Sequence, residues 1–255
     1  HALPGEFDTD TNRPLAGGIN FCPNAFSADA DPRKLAQTAV HEMLHVLYFN
    51  TWLVEYQFIG DDGQGYTAEE RYTTDTQGRT VLKTPHVQET AREYYGCPSA
   101  EGLALEDGGS MSHWESSTLR GDYMGPRASS SGKTNFGPLT AAMAEDSGWY
   151  FVNPDNVVHN NYGYKAGCDF LTDTCTEYAA AYPGQKYFCP PGDTGFRCSD
   201  DRMFVARCSS DDGFHPECQV PVDPLLYTVG PTIVNNCYDA SMQPLNNNIL
   251  GNFFG

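Results

Sequence analysis

The sequence predicts an α+β fold, and three observations carry that prediction. Stretches of helical period begin near positions 31, 86 and 137, the first at a capping Asp31 and the second after Thr84-Pro85. Short β-compatible runs and polar, Gly-rich connections lie between them, and the last third is rich in Cys, Pro and Asp with little periodicity. A length of 255 residues suffices for one large domain or two small ones. The composition changes near 155–165, where a boundary is expected, and no internal repeat occurs.

Residues 1–16, with Pro4, Gly5 and Pro14, read as irregular, and Gly17-Gly18-Ile19-Asn20-Phe21 as a short strand. A loop over 22–30 leads into a helix expected over 31–48. Asp31 suits its N-cap, Pro32 its first position, and Leu35, Val40, Met43, Leu44 and Leu47 form an apolar stripe. Residues 60–80 are polar and Gly-rich, with a hairpin expected near Asp62-Gly63. Thr84-Pro85 opens a helix over about 86–95 whose inner face carries Val87, Ala91 and Tyr94 or Tyr95. Residues 105–126 form a loop and 126–132 a Ser-rich surface loop. A last helix spans about 137–147, apolar at Leu139, Ala142 and Met143 and stopped by Gly148.

The first helix carries His41-Glu-Met-Leu-His45. Positions i and i+4 share a helix face, so His41 and His45 can hold one ion, and their place beside the apolar stripe makes them partly buried. A third histidine, His113, stands in Gly-Ser-Met-Ser-His-Trp-Glu. Three imidazoles from two stretches leave one tetrahedral position open, which suits a catalytic Zn²⁺ and not a structural one. Glu42, beside the first ligand, is placed to take a proton from water at the metal without binding the metal. A helical histidine pair is often merely solvated; here the capped helix and the third histidine weigh against that. Glu69 or Glu70 is a rival third ligand, 24 or 25 residues past His45, but its surroundings lack helical pattern. His1, His86, His159 and His215 read as surface residues. Trp114 and Glu115 flank His113 and either orient it, pack, or face solvent. The pairs Asp61-Asp62, Asp200-Asp201 and Asp211-Asp212 read as solvated turns without calcium-loop spacing.

Fifteen Lys and Arg against 33 Asp and Glu give a formal charge of −18, a field that repels nucleic acid and anionic membrane surfaces. No apolar run is long enough to span a membrane, and neither end carries a signal peptide or lipidation motif. Because the chain starts at His1, a processed or truncated form is expected. Of nine cysteines, seven fall between Cys168 and Cys237, the pattern of an oxidised module made outside the cytosol. No Cys-x-x-Cys pair occurs, so bridges fit better than a zinc cluster; the odd count leaves at least one thiol free or paired beyond this chain. No N-glycosylation sequon is present.

Several pieces fall in one order: Gly18-Ile-Asn-Phe-Cys22-Pro, His41-Glu-Met-Leu-His45, Ala91-Arg-Glu-Tyr-Tyr-Gly-Cys97 and Leu105-Glu-Asp-Gly-Gly109. Ser112-His-Trp-Glu115, Met124-Gly, Glu145-Asp-Ser-Gly-Trp-Tyr150 and Gly167-Cys-Asp-Phe-Leu171 follow. Together they resemble the leishmanolysin family of metzincin zinc peptidases, the group that includes invadolysin. His45 and His113 stand 68 positions apart, matching the long insertion by which this family departs from other metzincins, and Met124 sits where the family has the methionine of its Met-turn.

The resemblance implies a metzincin-type, two-lobed zinc peptidase with a disulfide-rich, loop-rich C-terminal part. Residues 1–48 correspond to a partial upper catalytic lobe ending in the active-site helix, 49–160 to the lower lobe with third ligand and Met-turn, and 161–255 to an incomplete Cys-rich domain. The rest of the upper lobe is then missing or on a partner chain. The family pattern also implies bridges Cys97–Cys168, Cys175–Cys237 and Cys189–Cys208, with Cys198 pairing outside the chain. The implied function is zinc-dependent cleavage of protein or peptide substrates, with Glu42 as general base, outside the cell or at its surface. The alternative is a weakened or inactive protein of the same fold with a structural or adhesive role. The odd cysteine count, the short upper lobe and one departure motivate it: the family has glycine three residues after the second histidine, where this chain has Tyr48. Tyrosine at positive φ costs roughly 1–2 kcal/mol, so either the turn moves to Asn50 or the helix runs on.

Overall fold

A computed structural model describes residues 2–23, 31–106, 111–126, 134–184 and 187–189, together with the backbone of three short strands, 196–198, 205–208 and 221–224. Helices and small antiparallel sheets alternate along it, as expected for an α+β chain.

The N-terminal segment is more regular than its prolines suggest. Strand β1 (Ala2–Pro4) pairs antiparallel with β2 (Gly17–Ile19), Ala2 opposite Ile19. This hairpin lies against helix α1 (Pro32–Leu47). A Cβ at Gly17 would lie 2.2 Å from Val46 Cγ1, so only glycine lets the strand approach the helix so closely. Asp31 caps α1 as predicted, its carboxylate accepting from Arg33 N–H at 2.9 Å, and Pro32 occupies the first turn. The predicted stripe is only partly inward. Leu44 and His45 are buried, whereas Val40 and Met43 are exposed, because the inward face of the helix is shared with the histidines.

Helix α1 ends without a left-handed turn. Tyr48 has φ −160°, an extended value open to any residue, and Asn50 has φ −150°. Neither expected alternative holds: Asn50 instead caps a second helix, α2 (Thr51–Tyr56), accepting from Trp52 N–H at 2.9 Å. Tyr48 therefore carries no backbone strain, and its ring is buried beside Tyr150.

Gly60 and Gly63 form a plain turn where the hairpin was expected. The hairpin lies later. Helix α3 (Ala68–Arg71) leads into β3 (Tyr72–Thr74), which pairs with β4 (Thr80–Leu82) across a turn at Asp75–Gly78. Strand β5 (Leu103–Ala104) extends this sheet from the other side of β4. Helix α4 (Pro85–Tyr95) buries Val87 and Ala91 as predicted and both Tyr94 and Tyr95 where one of the two was expected, and closes at Gly96 with φ 66°. It packs on α5 (Pro138–Asp146), which is buried on nearly every side and so behaves as a core helix.

Short helices α6 (Asp169–Thr172) and α7 (Cys175–Ala181) follow, then a three-stranded sheet of β6 (Phe196–Cys198), β7 (Val205–Cys208) and β8 (Pro221–Pro224). One apolar cluster runs from Leu44 and Phe49 through Tyr95, Trp114 and Met143 to Phe170 and Phe188. Cys97 and Cys168 are bridged, and Cys175 and Cys189 are also disulfide-bonded. The bridges expected at Cys237 and Cys208, the pairing of Cys198, the loop 126–132 past Pro126, and the acidic pairs at 200–201 and 211–212 lie outside the residues so described. Among the described residues, no helix is long and apolar enough to cross a membrane.

Candidate metal centre

The structure brings His41, His45 and His113 together, with ligand-capable nitrogens all within 4.8 Å of one another. His41 Nε2 lies 3.1 Å from His45 Nε2 and 3.1 Å from His113 Nε2. Helix α1 supplies the first two. The third arrives on an extended segment: Leu105 and Trp114 pair antiparallel, and Glu106 N–H donates to the His113 carbonyl at 3.0 Å.

Each outer nitrogen is engaged by an acceptor. His41 Nδ1 meets the Tyr123 carbonyl at 2.5 Å, His45 Nδ1 the Phe49 carbonyl at 2.8 Å, and His113 Nδ1 the Glu106 carboxylate at 2.6 Å. A carbonyl or carboxylate can only accept, so each Nδ1 carries the hydrogen and each Nε2 turns a lone pair toward the common point. Three lone pairs aimed at one another repel unless a cation lies between them. The donor set therefore fits a divalent ion that accepts imidazole nitrogen, and the outer bonds are those that orient metal-binding histidines. Burial lowers the pKa of His41, and lowers that of His45 to about 4. The carbonyl bonds and the Glu42 charge oppose this, and the neighbouring histidines reinforce it. Both stay neutral at pH 7, the form that ligates.

Glu42 is half-buried on α1, and its charge is felt at both helical histidines. Met124 is fully buried in a turn closed by Gly125 N–H donating to the Asp122 carbonyl at 3.1 Å. That turn contains Tyr123, whose carbonyl holds His41.

The rival ligands lie elsewhere. Glu70 closes a capping box with Thr67 on α3, and neither it nor Glu69 joins a metal-competent cluster. His159 is exposed beside Tyr94 and Tyr164. His86 lies at the start of α4, 3.0 Å from the buried Asp146 carboxylate and 3.5 Å from that of Asp61. His1 and His215 are outside the described residues. Trp114 is fully buried and donates from its indole to Thr140 Oγ1 at 2.9 Å, while Glu115 accepts from Ser117 N–H at 2.9 Å.

Sequence reasoning passed over two carboxylates. Glu106 stands in one of the quoted motifs, but its bond to His113 depends on a chain reversal that spacing does not announce. Asp122 is buried among three donors. Burial pushes its pKa to about 6, against the pull of Thr140, Met124 and Gly137.

The family model described as leishmanolysin matches residues 4–218. Leishmanolysin-like peptidases of Caenorhabditis briggsae and Caenorhabditis elegans are each 30% identical over 251 aligned positions, covering 79% of this chain and 37% of theirs. The ciliated left-right organizer metallopeptidase of Mus musculus is 31% identical over 212 positions, covering 78% of this chain and 29% of its own. The chain thus spans about a third of the length of these relatives.

Proposed function

The chain belongs to the leishmanolysin family, and from that premise we propose that it forms the zinc centre of an endopeptidase. His41, His45 and His113 would hold the ion through Nε2. Zinc held there would supply Lewis-acid chemistry, polarising the scissile carbonyl and acidifying the attacking water. The chain's own residues do the rest. Glu42 accepts the proton of the attacking water and passes it to the departing amine. Tyr123, Phe49 and Glu106 keep the three imidazoles in the ligating tautomer, and the turn at Met124 forms an apolar floor.

The observation that carries this reading is the convergence of three Nε2 atoms while every opposite nitrogen is tied. A two-lobed arrangement is part of it: 1–48 as upper lobe with α1 on the cleft floor, 49–160 as lower lobe, and 161–255 as a Cys-rich part. The position of α1 between the β1–β2 hairpin and the His113 segment supports that division. Disulfide-bonded Cys97, Cys168, Cys175 and Cys189 support a place in the secretory pathway or outside the cell. Substrates are proteins or peptides. The alternative of a retired protease loses the strain at Tyr48, one of its three motives, and keeps the odd cysteine count and the short upper lobe.

Replacing Glu42 tests the reading. Glu42→Gln should retain one zinc per chain and lose cleavage of a generic protein substrate by at least about a hundredfold. In the parent protein a chelator should abolish cleavage and zinc restore it. Cleavage by the Gln variant at the parental rate, or cleavage indifferent to chelation, refutes the proposal.

A further inference from the structure

We propose that Asp122 is the positioning residue of the metal centre, a single buried carboxylate that sets two of the three ligands. The inference rests on the reading above that His41, His45 and His113 hold zinc.

Asp122 has no exposed surface, and its two oxygens are divided between two structural tasks. Oδ1 accepts from Met124 N–H at 2.8 Å, which fixes the turn that carries Tyr123. The Tyr123 carbonyl then meets His41 Nδ1. Oδ1 also accepts from the Thr140 hydroxyl at 2.5 Å, and that hydroxyl accepts from the Trp114 indole at 2.9 Å. Trp114 is bonded in turn to the Met124 carbonyl through its backbone N–H at 2.9 Å, and it is the residue next to His113. Oδ2 accepts from Gly137 N–H at 3.0 Å, at the N-cap of α5.

One side chain thus joins the Met124 turn, the His113 segment and the core helix α5. The approach to α5 demands glycine: a Cβ at position 137 would lie 2.3 Å from Asp122 Oδ2. A buried charge is costly unless fully hydrogen-bonded, and three donors answer it here. An apolar residue could fill the volume. It could not orient an N–H and a hydroxyl at once.

The variants follow from the geometry. Asp122→Asn keeps an acceptor for Met124 and Thr140 but sets an amide donor against Gly137 N–H. Thr140→Val keeps the volume and cuts only the link to Trp114; Thr140→Ser restores that link. Zinc affinity is measured by competition with a chromophoric chelator. The ligand field is read from the visible spectrum of the cobalt-substituted protein, and unfolding is followed on the metal-free form.

Asp122→Asn should weaken zinc binding roughly ten- to hundredfold, the range for partners of metal ligands, and alter the cobalt bands. Thr140→Val should do so more weakly, and Thr140→Ser should recover parental affinity and spectrum. A residue that only packs would lower stability and leave the folded protein's zinc affinity and cobalt spectrum unchanged; that result in both Asp122→Asn and Thr140→Val overturns the inference. If Asp122→Asn fails to fold, the Val and Ser pair decides alone. Parental protein that takes up no zinc overturns the proposed function and this inference together, whereas parental binding matched by the variants overturns only the inference.

Discussion

His113 differs from the other two histidines in what holds it. His41 and His45 donate to main-chain carbonyls, which a side-chain substitution cannot remove, while His113 donates to the Glu106 carboxylate. Charge-assisted bonds are roughly twice as strong as neutral ones, and a carboxylate partner makes the imidazole a better ligand. Glu106→Ala should therefore weaken zinc binding by roughly ten- to hundredfold, and Glu106→Gln, which still accepts through its amide oxygen, by less. Competition with a chelator at constant pH measures both. An Ala variant that binds zinc like the parent rules the role out. The contrast explains what could be read from the sequence at this scale. His41, Glu42 and His45 follow from i, i+4 spacing, a local property of a capped helix. Tyr123 reaches His41 from a distant segment, whereas Phe49 and Glu106 lie near their histidines in sequence and meet them only because the chain bends there; two of the three act through a carbonyl that every residue possesses.

At the scale of elements, α1, α4 and α5 were legible because a proline in the first turn and the helical period agree at each, and α1 adds the Asp31 cap. Helix α2 was not: only Tyr48, Phe49 and Asn50 separate it from α1, and the Asn50 cap looks like a turn residue. The cap of α4 was also hidden, because it comes from Asp146, 60 residues beyond His86. The Asp146 carboxylate accepts from His86 N–H at 2.9 Å and Val87 N–H at 3.0 Å, and it faces His86 Nδ1. Burial alone would lower the pKa of His86. The Asp146 bond and charge, followed by the charges of Asp61 and Glu145, outweigh it and raise the pKa above its ordinary 6.5. A raised histidine pKa favours the folded state below the unfolded value and loses that contribution as pH rises through the folded value. The urea midpoint of the parent should therefore exceed that of His86→Ala most at about pH 5.5, with the gap narrowing by about pH 8.5. A gap independent of pH would show that His86 contributes by packing alone.

Across the whole molecule, the segments that follow the clustered histidines are held by buried phenols and by one covalent tie. Tyr94 donates to the carbonyls of Asn160 and Tyr162, Tyr95 to Thr118, and Tyr162 to Ser117, so helix α4 and the chain after 160 grip the stretch that follows His113. The Cys97–Cys168 bridge closes the same unit, with a sequence separation of 71 residues that encloses His113, Met124 and α5. Closing a loop of that length removes chain entropy equivalent to about 4 kcal/mol from the unfolded state, before any strain in the folded one. A reductant is a poor test, since Cys175 and Cys189 are also disulfide-bonded. Replacing both Cys97 and Cys168 by alanine isolates this bridge and should lower the unfolding free energy by up to about 4 kcal/mol, read from urea titrations of the metal-free protein. If zinc is bound only by the folded chain, the ion adds its own stabilisation to both proteins and the deficit persists at saturating metal. A deficit below about 1 kcal/mol, far short of the loop-closure value, would mean that the phenol network already confines the unfolded loop or that the bridge strains the fold by a compensating amount.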